Sequence, residues 1–311
     1  MRLLLLLVLL LAAPALAAKP APLPPLPPLV VDAAAPIVTI TIDGVPLRLR
    51  VDPGGTRHVQ INASAARRLG LGNSARLVAG KPADSGHSDT QIGMVSARES
   101  TGNAIGHYAD RDLPLVLAWS DRDHVDGADG LIGPGFLPHD EIRLVRRAAS
   151  AADRTTRLAM HWDDERGLLG TVPVGDHVID VQISPAAAQT IATAAAAAWL
   201  VAAQGGHVDG PVRDAVIAQG VARPVRDIVL DRPVTIAGIT LARVATRLFD
   251  WSGKTSLPAD AAAGDEMVVR AKFDAQREWP KLAIGNDHLG ACAEITWHRL
   301  PLAIELTCPA A

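Results

Sequence analysis

Asp52 is the residue best placed to do chemistry. It lies in "RLRVDPGGTRHV", between an alternating apolar stretch and a helix-like run. A lone aspartate ionises near pH 4 and stays charged at neutral pH. The plain alternative for Asp52-Pro53-Gly54-Gly55 is a turn, because proline at the second position and glycine at the third is the type II signature. Other clusters read less like sites. "DRDHVDGADG" (121–130) has acids at the first and third places of a calcium loop, but Val125 holds the fifth, Asp126 the glycine place and Ile132 the terminal acid place. A solvated loop fits it better. Arg223, Arg226 and Arg232 could hold an anionic ligand, but ion pairs with Asp227 and Asp231 account for them without one. The histidines show no ligand spacing with the cysteines, so no metal site is expected, and no cofactor motif is present. Cys292 and Cys308, the only cysteines, read as a disulfide tying two strands of the last sheet, with two buried thiols as the alternative.

The elements that must position Asp52 occur twice. Sliding the chain on itself until Asp52 meets Ser184 lays "TITIDGVPLRLRVDPGGTRHVQINASAARRL" ungapped over "TVPVGDHVIDVQISPAAAQTIATAAAAAWLV". Ile40 meets Val172, Ile42 Val174, Leu47 Ile179, Leu49 Val181, Val51 Ile183, and Pro53 meets Pro185. Alternation with period two predicts half-buried strands. Asp43-Gly44 and Gly175-Asp176 hold the hairpin-turn positions. A helix follows each copy, with Asn62 as expected N-cap and Gly70 as the left-handed stop. Further on, Trp119-Ser120 matches Trp251-Ser252, and "DGLIGPGFL" matches "LAIGNDHLGAC". The strands "EIRLVR" and "LAIELTC" follow these two segments. The expected organisation is two related β-rich units, 36–150 and 165–309.

An alternating hairpin, Asp-x-Gly-Gly, a short helix ending in Leu-Gly-Leu and a later apolar-apolar-Gly resembles the lobe of retropepsin-like aspartic peptidases. Here these are "VTITIDGVPLRLR", "VDPGG", "INASAARRLGL" and "ADGLIGPGFL". The resemblance implies a mostly β fold, with two tandem retropepsin-like lobes in a bilobal, pepsin-like arrangement. It implies Asp52 as the catalytic residue and Gly54 and Gly55 as the loop glycines that let the backbone approach substrate. It also places the polar stretch 80–93 where the family carries a flap, an exposed loop being the alternative. The family's chemistry needs two carboxylates sharing one proton. Pro53 replaces the usual Thr or Ser, and Ser184 stands where the second acid belongs. Asp180 or Asp250 could substitute, although Asp180 alternates out of phase with Ile179 and Val181 and should face solvent. A homodimer joining Asp52 to its symmetry mate is another route. Two functions follow: an aspartic endopeptidase using Asp52 with an unidentified second carboxylate, or an inactive relative binding a peptide or protein in the inter-lobe cleft.

The rest of the chain bounds these readings. At 311 residues with a formal net charge of −3, it has no basic stripe for nucleic acid. "MRLLLLLVLLLAAPALAAKP" has one charge, an apolar run and Ala15-Leu16-Ala17, the pattern of a signal peptide over 1–17. Its apolar run is short of the ~20 residues a membrane span requires. That implies export to the periplasm or beyond. "KPAPLPPLPPL" predicts a stiff proline-rich linker over 18–35 that stays out of any core.

Overall fold

The computed structural model describes residues 23–55, 57–71, 77–78, 81–82, 86–92, 95–163, 166–218, 220–248 and 279–310. The first half contains β1 (Leu29–Asp32), β2 (Ile37–Ile42), β3 (Val45–Val51), β4 (Val59–Ile61), α1 (Ala63–Arg68), β5 (Leu77–Val78) and β6 (Lys81–Pro82). It continues through β7 (Gly86–Ile92), β8 (Val95–Tyr108), β9 (Arg111–Trp119), β10 (Gly130–Ile132) and β11 (Glu141–Val145). The second half contains β12 (Asp153–Asp163), β13 (Gly167–Val174), β14 (His177–Ile183), β15 (Ile191–Ala192), α2 (Ala194–Gln204) and β16 (Gly206–Ala218). It ends with β17 (Val221–Ile236), β18 (Ile239–Arg247), β19 (Lys281–Ile284), α3 (Asn286–Leu289), β20 (Glu294–His298) and β21 (Ala303–Pro309). The fold is mostly β.

The internal repeat is present as strand pairing. One sheet runs β2-β3-β10-β4-β9-β8-β7, and part of the other runs β13-β14-β19-β15-β18-β17-β16. In both series the third strand lies parallel to the second and antiparallel to the fourth. Asp43 and Gly44 adopt the positive φ values that their hairpin turn needs, and so does Gly175. Ile40, Ile42, Leu47 and Leu49 are fully buried, as are Ile179, Val181 and Ile183. Each such side chain contributes roughly 1.5–3 kcal/mol by leaving water. One expected match fails: the register places Thr246, opposite Ala192, where Trp119 lies opposite Ile61. Trp251 and Ser252 lie outside the described residues.

Gly130 sits between β3 and β4, and a Cβ there would lie 2.1 Å from the Gln60 carbonyl oxygen. Backbone on both sides leaves nothing flexible to yield. Gly130→Ala is expected to cost about 3 kcal/mol, read as a lowered urea midpoint; an unchanged midpoint would mean that these three strands are not so tightly joined.

A shared sheet joins the repeats, in the order β1-β11-β20-β21-β12 before continuing into β13. β11 and β20 pair antiparallel, Glu141 with His298 and Val145 with Glu294, so the two strands are related by a local twofold. In the second half the first strand after the apolar-apolar-Gly segment is β20, "EITWH", and "LAIELTC" falls on the next one, β21. The Arg143 guanidinium clasps both Glu294 carboxylate oxygens across this seam, at 2.6 and 2.7 Å.

The proline-rich stretch also departs from its expected role as a free spacer. β1 pairs in parallel with β11, Ala33 is buried, and the Pro27 carbonyl accepts from His139 Nδ1 at 2.6 Å. Leu29, Val30 and Val31, late in that stretch, find a sheet edge to pair with. Residues 153–163, expected between the units, are strand β12. Cys292 and Cys308 form a disulfide that joins the turn after α3 to β21, instead of joining two strands.

Candidate functional site

The two matching loops meet at one point. β3 ends at Val51 and β14 at Ile183, and both chains then turn back. The Asp52 amide donates to the Ile132 carbonyl and the Ser184 amide to the Ile284 carbonyl, each at 3.0 Å. Gly55 N–H then closes on Asp52 O at 2.9 Å, and Ala187 N–H on Ser184 O at 3.0 Å. Asp-Pro-Gly-Gly is thus a turn, but not the type II turn expected, because Gly54 lacks the positive φ that type requires. The matching Ser-Pro-Ala-Ala turn has alanine there, which suits a turn without a left-handed residue.

Close approach explains the glycines. A Cβ on Gly54 would fall 2.7 Å from Ser184 Cβ, and one on Gly55 would fall 3.0 Å from Gly133 Cα. Gly54 and Gly55, the expected substrate-side glycines, are both buried, with Ser184 and Gly133 beside them.

Ser184 Oγ donates to Asp52 Oδ2 at 2.8 Å. Asp52 is 3% exposed and Ser184 9%, so the pair is nearly sealed from water. Burial pushes the Asp52 pKa up to about 6, because a charge is costly to hold there. The Ser184 hydroxyl, the amides of Ala186 and Gly54 and the charge of Arg50 pull it part of the way back. None of these groups is a second acid. Two carboxylates at this distance would share one proton; a carboxyl and a hydroxyl cannot divide the acid and base roles that way.

A second cross-link lies beside the first. Gln182 Nε2 donates to the Gly54 carbonyl at 2.6 Å, while Lys281 Nζ donates to Gln182 Oε1 at 3.0 Å. Lys281 also lies 4.7 Å from the Trp279 ring centroid, with Arg166 4.9 Å from the same ring. Burial, with help from Arg247 and Arg166 against the pull of Asp180, brings the Lys281 pKa down to about 8. Replacing Gln182 with methionine would leave the Gly54 carbonyl and the Lys281 ammonium without this partner. The expected cost is about 2 kcal/mol, checked by urea unfolding; Gln182→Glu, which still accepts from Lys281 but no longer donates to Gly54, should recover only part.

The other sequence candidates fall elsewhere. Asp180 does not simply face solvent. It is half-buried and accepts from Arg166 at 3.2 Å and from Trp279 Nε1 at 3.0 Å. Asp250 lies outside the described residues. Asn62 begins α1 but makes no side-chain cap; its amide instead binds the backbone of His124, Val125 and Ala128. Asp123 caps the helix by accepting from Ala63 N–H at 2.9 Å. Asp129 accepts from Arg48 N–H, so acids of the 121–130 loop fasten it to the sheet. Arg213 and Arg243 pair with Asp227, whereas Arg232 caps the carbonyls of Ala203 and Gln204 at the end of α2. Part of the 80–93 stretch forms the β7–β8 hairpin, and residues 80, 83–85 and 93 lie outside the described residues.

Two groups went unnoticed in the sequence. Gln182 carried a usable signal: with Asp180 and Ser184 it places a polar residue at every second position on one strand face. His124 and Glu99, buried side by side at 3.5 Å, carried none.

Neither a protein-family model nor a curated protein sequence matches the chain. Solved structures do. The crystal structure of aspartic proteinase from Irpex lacteus is similar at a TM-score of 0.42 and 12% identity, covering 88% of this chain and 94% of that one. A likeness at that level leaves the interpretation to the geometry of the site.

Proposed function

We propose that this chain is a non-catalytic relative of the aspartic peptidases, with two pepsin-like lobes that clasp a peptide or an extended protein segment between them. The carrying observation is the bond from Ser184 Oγ to Asp52 Oδ2, at the point where the two repeats bring their loops together. A hydroxyl occupies the place of the second acid and uses its one proton to hold the first. Asp52 is then a structural carboxyl, and Gln182 and Ser184 together join the lobes where the family uses a Thr or Ser.

The hydrolytic reading keeps one supporting observation. A carboxyl whose pKa is near 6 can exchange a proton close to neutrality, as general acids and bases do. Its second acid would have to come from outside the described residues or from a second copy of the chain. No helix among the described residues is long and apolar enough to cross a membrane. The disulfide favours an oxidising compartment, which supports the proposed export.

The test is retention of peptides from a mixed-sequence library after ultrafiltration, analysed by mass. The expected result is intact peptides held equally by the parent and by Asp52→Asn. Shortened products that vanish in Asp52→Asn, or no retained peptide at all, would overturn it.

A further inference from the structure

The two repeats use one matching position in different ways. Asp129 and Lys281 each stand three residues before the carbonyl, of Ile132 or Ile284, that receives the amide of Asp52 or Ser184. The backbone confirms the match, because Asp129 O accepts from Asn62 N–H at 2.9 Å and Lys281 O from Thr193 N–H at 2.8 Å. In the first repeat the charge is answered inside the protein. Asp129 accepts from Arg48 N–H at 2.9 Å and meets the Arg68 guanidinium at 3.0 Å. Lys281 has no such partner. Its Nζ donates to the neutral Gln182 Oε1 at 3.0 Å, and no carboxylate among the described residues pairs with it. An ammonium carries three N–H donors, and the other two have no acceptor among the described residues.

The neighbours sharpen that contrast. Lys281 and Arg166 lie 4.7 and 4.9 Å from the centroid of one ring, that of Trp279. The one carboxylate of this group, Asp180, is taken by Arg166 and by Trp279 Nε1. Burial first, then Arg247 of β18 and Arg166 of the β12–β13 turn, press against the Lys281 charge, and Asp180 of β14 opposes them. The outcome is a pKa brought down to about 8, whereas a carboxylate seated on the ammonium would hold it up. Lys281, Trp279 and Arg166 all stay partly exposed. The group also adjoins the junction of the repeats, because Gln182 that holds Lys281 holds the Gly54 carbonyl with its amide nitrogen.

We propose that Lys281, with Arg166 beside it on the Trp279 ring, is the docking point for a carboxylate of the bound peptide. This rests on the peptide-binding reading above. The carboxylate accepts from Lys281 Nζ while Gln182 keeps the ammonium aimed at the seam. A charge-assisted bond of this kind is about twice as strong as a neutral one. The peptide's C-terminus and an acidic side chain present the same chemistry, and the test separates them. Seating an anion makes Lys281 hold its proton more tightly, so binding weakens as pH rises through about 8.

The probes are four peptide libraries, ending in a free acid or an amide, each with or without Asp and Glu. Retention after ultrafiltration is measured for the unaltered chain, Lys281→Met and Lys281→Arg. The expected result is a carboxylate-bearing library held roughly tenfold better than the amide library without acids. That preference should vanish in Lys281→Met. It should fade between about pH 7.5 and 9.5 in the unaltered chain and persist in Lys281→Arg, whose guanidinium keeps its charge. A second readout uses the unaltered chain alone. N-acetylglycine, but not N-acetylglycinamide, should slow acetylation of Lys281 at about pH 8 roughly threefold, relative to the other lysines. Peptides held equally whatever their carboxylates, or a preference that survives Lys281→Met, would overturn the docking point and leave the peptide-binding reading standing. No library retained, with Lys281 still protected by N-acetylglycine, would overturn the peptide-binding reading and leave the carboxylate site in place. Neither retention nor protection would overturn both. The labelling needs no variant, so it decides the matter even where Lys281→Met does not fold.

Discussion

Replacing Asp52 with asparagine should raise stability by about 2 kcal/mol at pH 8 and lower it slightly at pH 4. The sign follows from linkage. Asp52 has its pKa raised from 3.8 to about 6 in the folded chain, so between those values the folded state holds more protons than the unfolded one. Stability contributed by that proton is complete below the unfolded value and is lost as pH rises through the folded one. A shift of about two units corresponds to roughly 3 kcal/mol, and part of it is returned because asparagine fits the same hydrogen bonds less well. Its NH2 can donate to Ser184 Oγ, and its oxygen then takes the place of Oδ1, which is buried without a hydrogen-bond partner. Glu99, raised by burial to about 7, gives a fall in the same direction that the substitution leaves in place. Asp287, held down to about 2, makes stability fall again below pH 4. His124, brought down to about 4 by burial, opposes Glu99 because it must give up its proton to fold. Urea unfolding from pH 4 to 8 should therefore show a decline in the parent that is smaller in the variant. Equal declines in both proteins would mean that Asp52 is not buried as a single desolvated carboxyl.

The second large effect runs the opposite way. Ser184→Asp places two carboxylates where a hydroxyl now bonds a carboxyl at 2.8 Å. Like charges at that range cannot both ionise cheaply, so one pKa must rise well above that of Asp52 alone. The hydroxyl that now lowers the Asp52 pKa is lost as well. The expected cost is about 4 kcal/mol at pH 8 and much less at pH 4, where the pair shares a proton. Crowding against Gly54 is independent of pH, and Ser184→Asn measures it separately. A loss of the same size at both pH values would mean that the two loops do not oppose each other as described.

The repeat was legible because it is local. Hairpin alternation, Asp43-Gly44, Gly175 and the paired prolines depend on a few neighbouring residues, and period-two burial writes itself into the sequence. Gly70 was legible for the same reason: it takes a φ of 64° and ends α1, with Leu71 N–H returning to Ala66 O. The meeting of Asp52 with Ser184 was legible only through the repeat, as a coincidence of positions 132 residues apart. What escaped is long-range. Nothing in "EIRLVR" specifies pairing with β20, and nothing in the proline-rich stretch specifies docking on β11. Asn62 has the right type for a cap, but a loop more than 60 residues away takes its side chain.

The central claim is that Asp52 acts with a hydroxyl and not with a second acid. The most direct measurement is hydrolysis of an unbiased peptide mixture between roughly pH 3 and 7, the range of carboxylate titration, by the folded chain and Asp52→Asn side by side. The account predicts no cleavage by either, with both proteins unfolding cooperatively in urea. Cleavage by the unaltered chain alone would contradict it and would show that a second acid reaches Asp52.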